Sequence, residues 1–339
     1  MKAIEPMLAF KKLTFGRDYF VDEVLKEVAS KNLWNLWVPK VYGGMEVSLL
    51  QGLEALRILA QIDGSLGWTV TLCSGANFFV GNLKTTVAKE IFLGSKKPIF
   101  GGSGGVSGIA ERHGEGYVVS GEWRYATGAP LLTHFTLNAK IWESGREVVD
   151  TNGEPMVRSF VLPIKQVQII EDWKTMGLKA TATHSFAVRS EWVHAKYSFL
   201  YDKLYLPQPI FKVPFSIFSD LTLWVNYIGM AEHFLMEAQK MNRQGTSLTV
   251  LESLLHEELG VLQDYAHQIQ TKINKAQDIP IPWKTKIHQR ASGSVPSISK
   301  AIIGIYPKLG VRAAGNGHPL NRVFLDYFTA TQHHIFHKE

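Results

Sequence analysis

Cysteine is nearly absent from this chain. Cys73 stands alone, so neither an intrachain disulfide nor a thiolate metal site can form, and a reducing compartment fits. Long apolar runs are missing as well. No window approaches the roughly 18 apolar residues of a membrane span, and the first residues carry Glu5 and Pro6 where a secretory leader would have an unbroken apolar core. The expectation is a cytoplasmic protein with no membrane attachment. Charge of one sign is nowhere concentrated: the net +6 comes from 36 Lys and Arg against 30 Asp and Glu, and no basic run exceeds the pairs Lys11-Lys12 and Lys96-Lys97. Nucleic-acid surfaces need a concentrated basic face, so nucleic acid is not an expected partner; the excess implies at most a mild pull on anionic small molecules. Internal repeats, heptads and low-complexity tracts are also lacking.

What is there suffices for a sizeable core: 339 residues, 45% of them hydrophobic and 19% charged, suggest two or three structural units. Val21, Val24, Leu25 and Val28 follow helical spacing, with Asp22 and Glu23 where a helix start favours acids. Pro39 and Gly43-Gly44 interrupt, and a second helical pattern covers 48–62. Asp63-Gly64-Ser65 ends it and caps a third pattern over 66–82. The texture changes near Lys97-Pro98. Period-two patterns at 116–125, 134–142, 157–162, 167–171 and 184–189 then predict short strands, as in a small antiparallel barrel or sandwich.

The stretch 101–108 is rich in glycine but lacks the Gly-Lys-Ser/Thr of a phosphate loop, and a strand follows it where a dinucleotide fingerprint needs a helix. It reads as a turn whose backbone N–H groups, at Gly102-Ser103-Gly104-Gly105, could approach a phosphate or a ring edge. Helical patterns return after Pro207, Pro209 and Pro214: 217–241, a stripe from Leu251 to Ile273, 283–306 with a kink or break expected at Pro296, and 320–335. The predicted class is α+β, with an N-terminal helical domain (1–97), a central β domain (98–205) and a C-terminal four-helix bundle (206–339).

This order resembles the acyl-CoA dehydrogenase superfamily, and three motifs carry the resemblance. Leu36-Trp37-Val38-Pro39-Lys40-Val41-Tyr42-Gly43-Gly44 is similar to its hydrophobic-Pro-x-x-Tyr-Gly-Gly loop. The segment from Gly116 through Trp123-Arg124-Tyr125-Ala126-Thr127-Gly128 is similar to its Gly-Tyr…Trp-Ile-Thr-Asn strand, and Trp173-Lys174-Thr175-Met176-Gly177-Leu178-Lys179-Ala180-Thr181-Ala182-Thr183-His184 to its Gly-Leu-Arg-x-Thr-x-Ser-His segment. Two further stretches resemble the flavin-dependent, two-component monooxygenase branch: Gly64-Ser65-Leu66-Gly67-Trp68, and Pro319-Leu320-Asn321-Arg322 leading to Asp326 and His333. The Tyr-Glu-Gly-Thr that often carries a dehydrogenase's catalytic glutamate is absent. The sequence departs from the branch at Ala76 and Asn77, where a histidine is common, and at Leu325, where an arginine precedes the aspartate.

The resemblance implies an oxidoreductase that uses reduced FAD or FMN and oxygen on an aromatic or related small molecule, a separate flavin reductase as partner, and a homotetramer or dimer. By motif position, Tyr125 falls where the family stacks a tryptophan on the flavin, and Thr127 where a hydroxyl meets the N5 edge. Ser103, Gly104 and Gly128 join them as cofactor contacts. From spacing alone, Tyr125 could equally be a core aromatic and Thr127 a plain strand end. His333 is the candidate to assist the oxygen chemistry or activate the substrate, since imidazole does either near neutral pH. His333, His334 and His337 would share a helix face, but no carboxylate other than Glu339 accompanies them, so no metal is expected. Two alternatives remain: a dehydrogenase with bound FAD that uses Asp220 as base on a thioester, and a non-catalytic assembly protein that kept the fold.

Overall fold

The computed structural model describes residues 5–14, 16–241 and 247–336. Five helices come first: α1 (Glu5–Thr14), α2 (Asp22–Ser30), α3 (Leu49–Ile62), α4 (Gly64–Asn77) and α5 (Thr85–Phe92). The α3 start is a capping box, in which the Ser48 hydroxyl accepts from the Gln51 N–H while the Gln51 side chain accepts from the Ser48 N–H. Asp63 closes α3 and opens α4, its carboxylate accepting the Leu66 N–H at 2.8 Å. The predicted Asp63 cap is thus present. Almost every residue of α4 is buried, consistent with its run of small and apolar side chains.

Strands follow: β1 (Phe100–His113), β2 (Gly116–Ala126), β3 (His134–Glu143), β4 (Arg146–Glu147), β5 (Val157–Pro163), β6 (Gln168–Ile170), β7 (His184–His194) and β8 (Ser198–Phe199). They form one sheet in the order β6-β7-β2-β1-β3-β5-β8, with β4 on β3. Two findings differ from the sequence expectation. The glycine-rich stretch is not a turn but most of β1, the middle of the sheet. Glycine is demanded there by close approach: a Cβ at Gly102 would lie 1.8 Å from the Thr136 carbonyl, and one at Gly108 would lie 2.1 Å from the Trp123 ring. The sheet is also not wholly antiparallel. β2 makes a hairpin with β1, so β3 must cross to the other edge of β1 and pairs with it in parallel.

The last helices are α6 (Phe215–Met241), α7 (Thr249–Asn274), α8 (Ile281–Ile305) and α9 (Pro319–Ala330). Of the kink or break expected at Pro296, the break does not occur: α8 runs on through it. α9 ends five residues earlier than the pattern suggested, at Ala330, and residues 331–336 form a turn and a short 3-10 segment. α6 packs along α3 and α4 and is itself covered by α7, α8 and α9. Among the described residues, no helix is long and apolar enough to cross a membrane.

Candidate active site

Between α4, α6, the start of β1, the end of β2 and the tail after α9 lies a cavity of about 650 Å³. Its position follows from a phase change in β2. Tyr117, Val119 and Trp123 alternate into the core, and Trp123 donates its indole N–H to the Asn138 carbonyl at 2.9 Å. An irregularity in pairing with β7 between Trp123 and Ala126 then puts Ala126 in the core position. Tyr125 is thereby turned out of the core, 43% exposed on the cavity wall, with its ring edge-on to Trp173 at 5.6 Å. The core reading of Tyr125 is overturned.

Thr127, at the strand end, is buried and lines the cavity. Its hydroxyl accepts from the Thr183 hydroxyl at 3.2 Å, which leaves its own proton for a partner in the cavity. The Thr181 hydroxyl lies 2.7 Å from both the Thr183 hydroxyl and the Leu178 carbonyl, and donates to them as a three-centre bond when the Thr183 proton goes to Thr127. Ser103 and Gly104 line the wall too, in a part of β1 where the ladder to β3 stops at Gly102 and resumes at Val106. Ser103 donates to the Arg124 carbonyl at 2.8 Å, and the Gly104 carbonyl accepts from Asn138. Gly128 is brought in by sequence reasoning but not by the structure. It sits at φ +72° beneath α4 and its N–H is taken by the Thr181 carbonyl at 2.8 Å, so it is a turn residue off the cavity wall.

His333 is on the wall, its ring edge-on to Trp68 at 5.6 Å and against the His334 ring at 4.7 Å. It stands in the turn after α9, not on a helix, so the shared helix face imagined for a metal does not exist for His333 and His334; His337 and Glu339 lie outside the described residues. Asp220 is not on the wall. Its carboxylate faces the His288 ring at 3.2 Å on α8, and burial pushes its pKa up to about 6 against the pull of His288. Its neighbours Ser219 and Thr222 reach the cavity instead. α6 was legible as a helix, but its nearly all-round burial hid which face carries which residue.

The same sequence reasoning missed most of the wall. Trp68, Trp173 and Thr183 lay inside stretches already noted, but Phe79, Tyr201, Phe215 and Phe218 carried no local signal. Ala76 lines the cavity, whereas Asn77 is structural, donating to the Trp34 and Pro98 carbonyls and accepting the Phe100 N–H. Below the wall, α9 is tied to the 173–178 loop: Asp326 accepts the Leu178 N–H at 2.5 Å, and Thr329 accepts the Gly177 N–H at 2.9 Å. Asp326 is raised to about 7 by burial and by Asp63, against the pull of Arg322. Leu325, at the departure from the branch pattern, gives its backbone to this joint: a Cβ on Gly177 would lie 2.2 Å from the Leu325 carbonyl.

Chemically, the wall offers aromatic rings, hydroxyls, two imidazoles and one guanidinium (Arg124), and no Asp or Glu among the described residues. A flavin's needs are a flat contact, a donor at the N5 and C4 carbonyl edge, and close backbone approach. Tyr125 and Trp173, the Thr127 proton, and the side-chain-free Gly102 and Gly104 fit those needs.

No family model matches the chain. It is 28% identical over 233 residues to an indole-3-acetate monooxygenase of Acinetobacter baumannii, a match covering 68% of this chain and 58% of that protein. The chain thus spans less than two thirds of this curated relative's length. The fold is similar to XiaF from Streptomyces sp., solved with FADH2 and glycerol: TM-score 0.85, 20% identity, 99% of this chain and 91% of that one. It is also similar to the TdsC protein of Paenibacillus sp. A11-2, solved with FMN and indole: TM-score 0.71, 17% identity, 98% and 92% covered.

Proposed function

Starting from a chain that has the acyl-CoA dehydrogenase-like fold and is similar in sequence to flavin-dependent monooxygenases, we propose that it is the oxygenase component of a two-component enzyme. It takes reduced FAD or FMN from a separate reductase and hydroxylates an aromatic small molecule with oxygen. The observation that carries this reading is the cavity wall, with aromatics and hydroxyls on the β side, imidazoles at the α9 end, and no carboxylate among the described residues.

Reduced flavin, when bound, would supply the electrons that activate oxygen. Tyr125, with Trp173 set edge-on to it, provides the flat contact, and Thr127, held by Thr183, gives a directed donor. His333, beside Trp68, can hold or deliver a proton at the reacting oxygen or take one from the substrate. Trp68, Leu72 and Leu223 keep water from that end. Thioester dehydrogenation would need a carboxylate base over the flavin, and Asp220 is engaged with His288 away from the cavity. Assembly as a dimer or tetramer belongs to the same reading; the exposed Ile281 and Ile303 of α8 and Val311 beyond it support it.

The test is anaerobic titration of the purified chain with reduced FMN and reduced FAD, then exposure to oxygen with an aromatic substrate. Binding of reduced flavin and oxygen-dependent hydroxylation are expected. Bleaching of bound flavin by an acyl thioester without oxygen, or no flavin binding at all, would sink the proposal.

A further inference from the structure

Residues 103–105 of the cavity wall lie where β1 has lost its neighbours: the ladder to β3 stops at Gly102 and resumes at Val106, and the ladder to β2 starts at Gly108. Ladder bonds fix the peptide planes of a strand, so a span without them is fixed by side chains or left free to turn. Glycine at 104 and 105 removes what resistance a Cβ would offer, and an added Cβ at Gly104 would meet nothing within 4 Å. Two side chains supply the missing bonds. The Ser103 hydroxyl donates to the Arg124 carbonyl at 2.8 Å and accepts from the Gly105 N–H at 3.2 Å. From β3, Asn138 donates its amide to the Gly104 carbonyl at 2.8 Å. The peptide between Gly104 and Gly105 is thus held at both ends, its N–H on Ser103 and its carbonyl drawn back to Asn138.

Asn138 is itself tightly placed. It is buried, 6% exposed, and stands behind the cavity wall instead of on it. A carbonyl can only accept, so Nδ2 must face Gly104 and Oδ1 the Ser159 hydroxyl, which donates to it at 2.6 Å. The Tyr201 hydroxyl lies 3.3 Å from Nδ2 and 3.4 Å from Oδ1, and its ring belongs to an aromatic cage, parallel to Phe79 at 5.0 Å and with Phe215 4.5 Å from Phe79. The Asn138 backbone carbonyl takes the Trp123 indole N–H at 2.9 Å. Partners at both ends of the amide leave it one orientation.

We propose that Asn138 is a positioning residue for the reduced flavin, keeping the Gly104 carbonyl turned away from the cavity so that the 103–105 span meets the cofactor in one orientation. The inference rests on the monooxygenase reading of the cavity and adds to it a residue that touches no ligand. Without the amide, the Gly104–Gly105 peptide is free to rotate and to present its carbonyl oxygen to a ring edge that itself carries carbonyls, leaving two acceptors face to face.

The experiment is anaerobic titration with reduced FMN and reduced FAD of the native chain, Asn138→Asp and Asn138→Ala at pH 5.5 and 8.5, each with its urea midpoint. Aspartate has the shape of asparagine. As the neutral acid, favoured by burial, it still donates to the Gly104 carbonyl, and once ionised it sets a carboxylate oxygen against that carbonyl. At pH 5.5, Asn138→Asp should bind reduced flavin within about twofold of native and Asn138→Ala about 5-fold more weakly, the worth of one neutral hydrogen bond. At pH 8.5, Asn138→Asp should fall to the alanine level or below, while the ratio of alanine variant to native is unchanged. A role in folding alone would move the urea midpoints without this pH-dependent rescue. Native affinity in Asn138→Ala, or an Asn138→Asp as weak as Asn138→Ala at pH 5.5, overturns the inference, and this comparison holds even where the aspartate variant unfolds at pH 8.5. No binding of either reduced flavin by the native chain instead overturns the wider reading, so the two failures are told apart.

Discussion

Thr127→Val isolates a single hydrogen bond to the proposed cofactor. The two side chains share a branched shape, so the strand end keeps its packing, and only the hydroxyl is lost. In the native chain that hydroxyl accepts from Thr183 at 3.2 Å and therefore has its own proton to give to the cavity. One neutral hydrogen bond is worth ~1 kcal/mol net, within a range of about 0.5–1.5, which corresponds to about a 5-fold rise in the dissociation constant for reduced flavin. Thr183 keeps its contact with Thr181 at 2.7 Å, so no buried hydroxyl is orphaned and global stability should change by less than about 1 kcal/mol. Thr127→Ser retains the donor and should bind flavin like the native chain. The assay is anaerobic titration with reduced FMN, followed by tryptophan fluorescence, beside urea unfolding of each variant. A Thr127→Val affinity equal to native, or a Thr127→Ser affinity as poor as that of the valine variant, would refute the directed-donor argument.

Further expectations concern the other end of the cavity, β1 and the buried acids. His333→Ala should lower the product formed per reduced flavin oxidised, with more hydrogen peroxide released and an unchanged urea midpoint; unchanged coupling would remove His333 from the chemistry. Gly102→Ala and Gly108→Ala should each lose about 3 kcal/mol or more through overlap with Thr136 and Trp123, whereas Gly104→Ala, with nothing within 4 Å of its added Cβ, should fold normally. Equal urea midpoints across the three would contradict the packing of β1. Asp220→Asn should leave flavin binding and turnover within about twofold of native, because the carboxylate faces His288; loss of turnover would reopen the thioester reading. The folded-state pKa of Asp326, about 7, lies above its ordinary 3.8. The native state therefore holds a proton that the unfolded chain has released, and this contribution to stability declines as pH climbs from about 4 to about 7 and is level above. Urea midpoints at pH 5 and 7.5 should show less of this decline in Asp326→Asn than in the native chain, and identical pH dependence would count against it.

The features legible in the sequence were those with a local physical cause. Asp63 with Leu66 is a cap that acts within one helical turn and was legible in Asp63-Gly64-Ser65, while the helix that Ser48 and Gln51 cap was read from its apolar spacing. Most of the strands followed from alternation. β1 was lost because its glycines are required by neighbours, the Thr136 carbonyl and the Trp123 ring, that lie far along the chain. Tyr125 and Thr127, singled out by their motif, line the cavity, but the phase slip that turns Tyr125 outward depends on how β2 pairs with β7. The direction of Asp220, a base only in the dehydrogenase alternative, was hidden for a related reason: a helix buried nearly all round has no polar stripe to show which face a residue occupies. The aromatic cage gathers Phe79, Tyr201 and Phe215 from separate segments, and no period in any one of them announces it.

The ladder of β1 gives the two sides of the cavity a common design. From Gly108 on, β1 is bonded along both edges, to β2 and β3, and Gly101 and Gly102 are bonded to β3, but residues 103–105 lie where neither ladder runs. The opposite side closes through residues 331–336, held by short contacts such as the His333 N–H on the Ala330 carbonyl. Each wall is thus closed by a short span pinned at both ends by regular structure: 103–105 between two stretches of the β1 ladder, and 331–333 between α9 and the 3-10 turn that follows it.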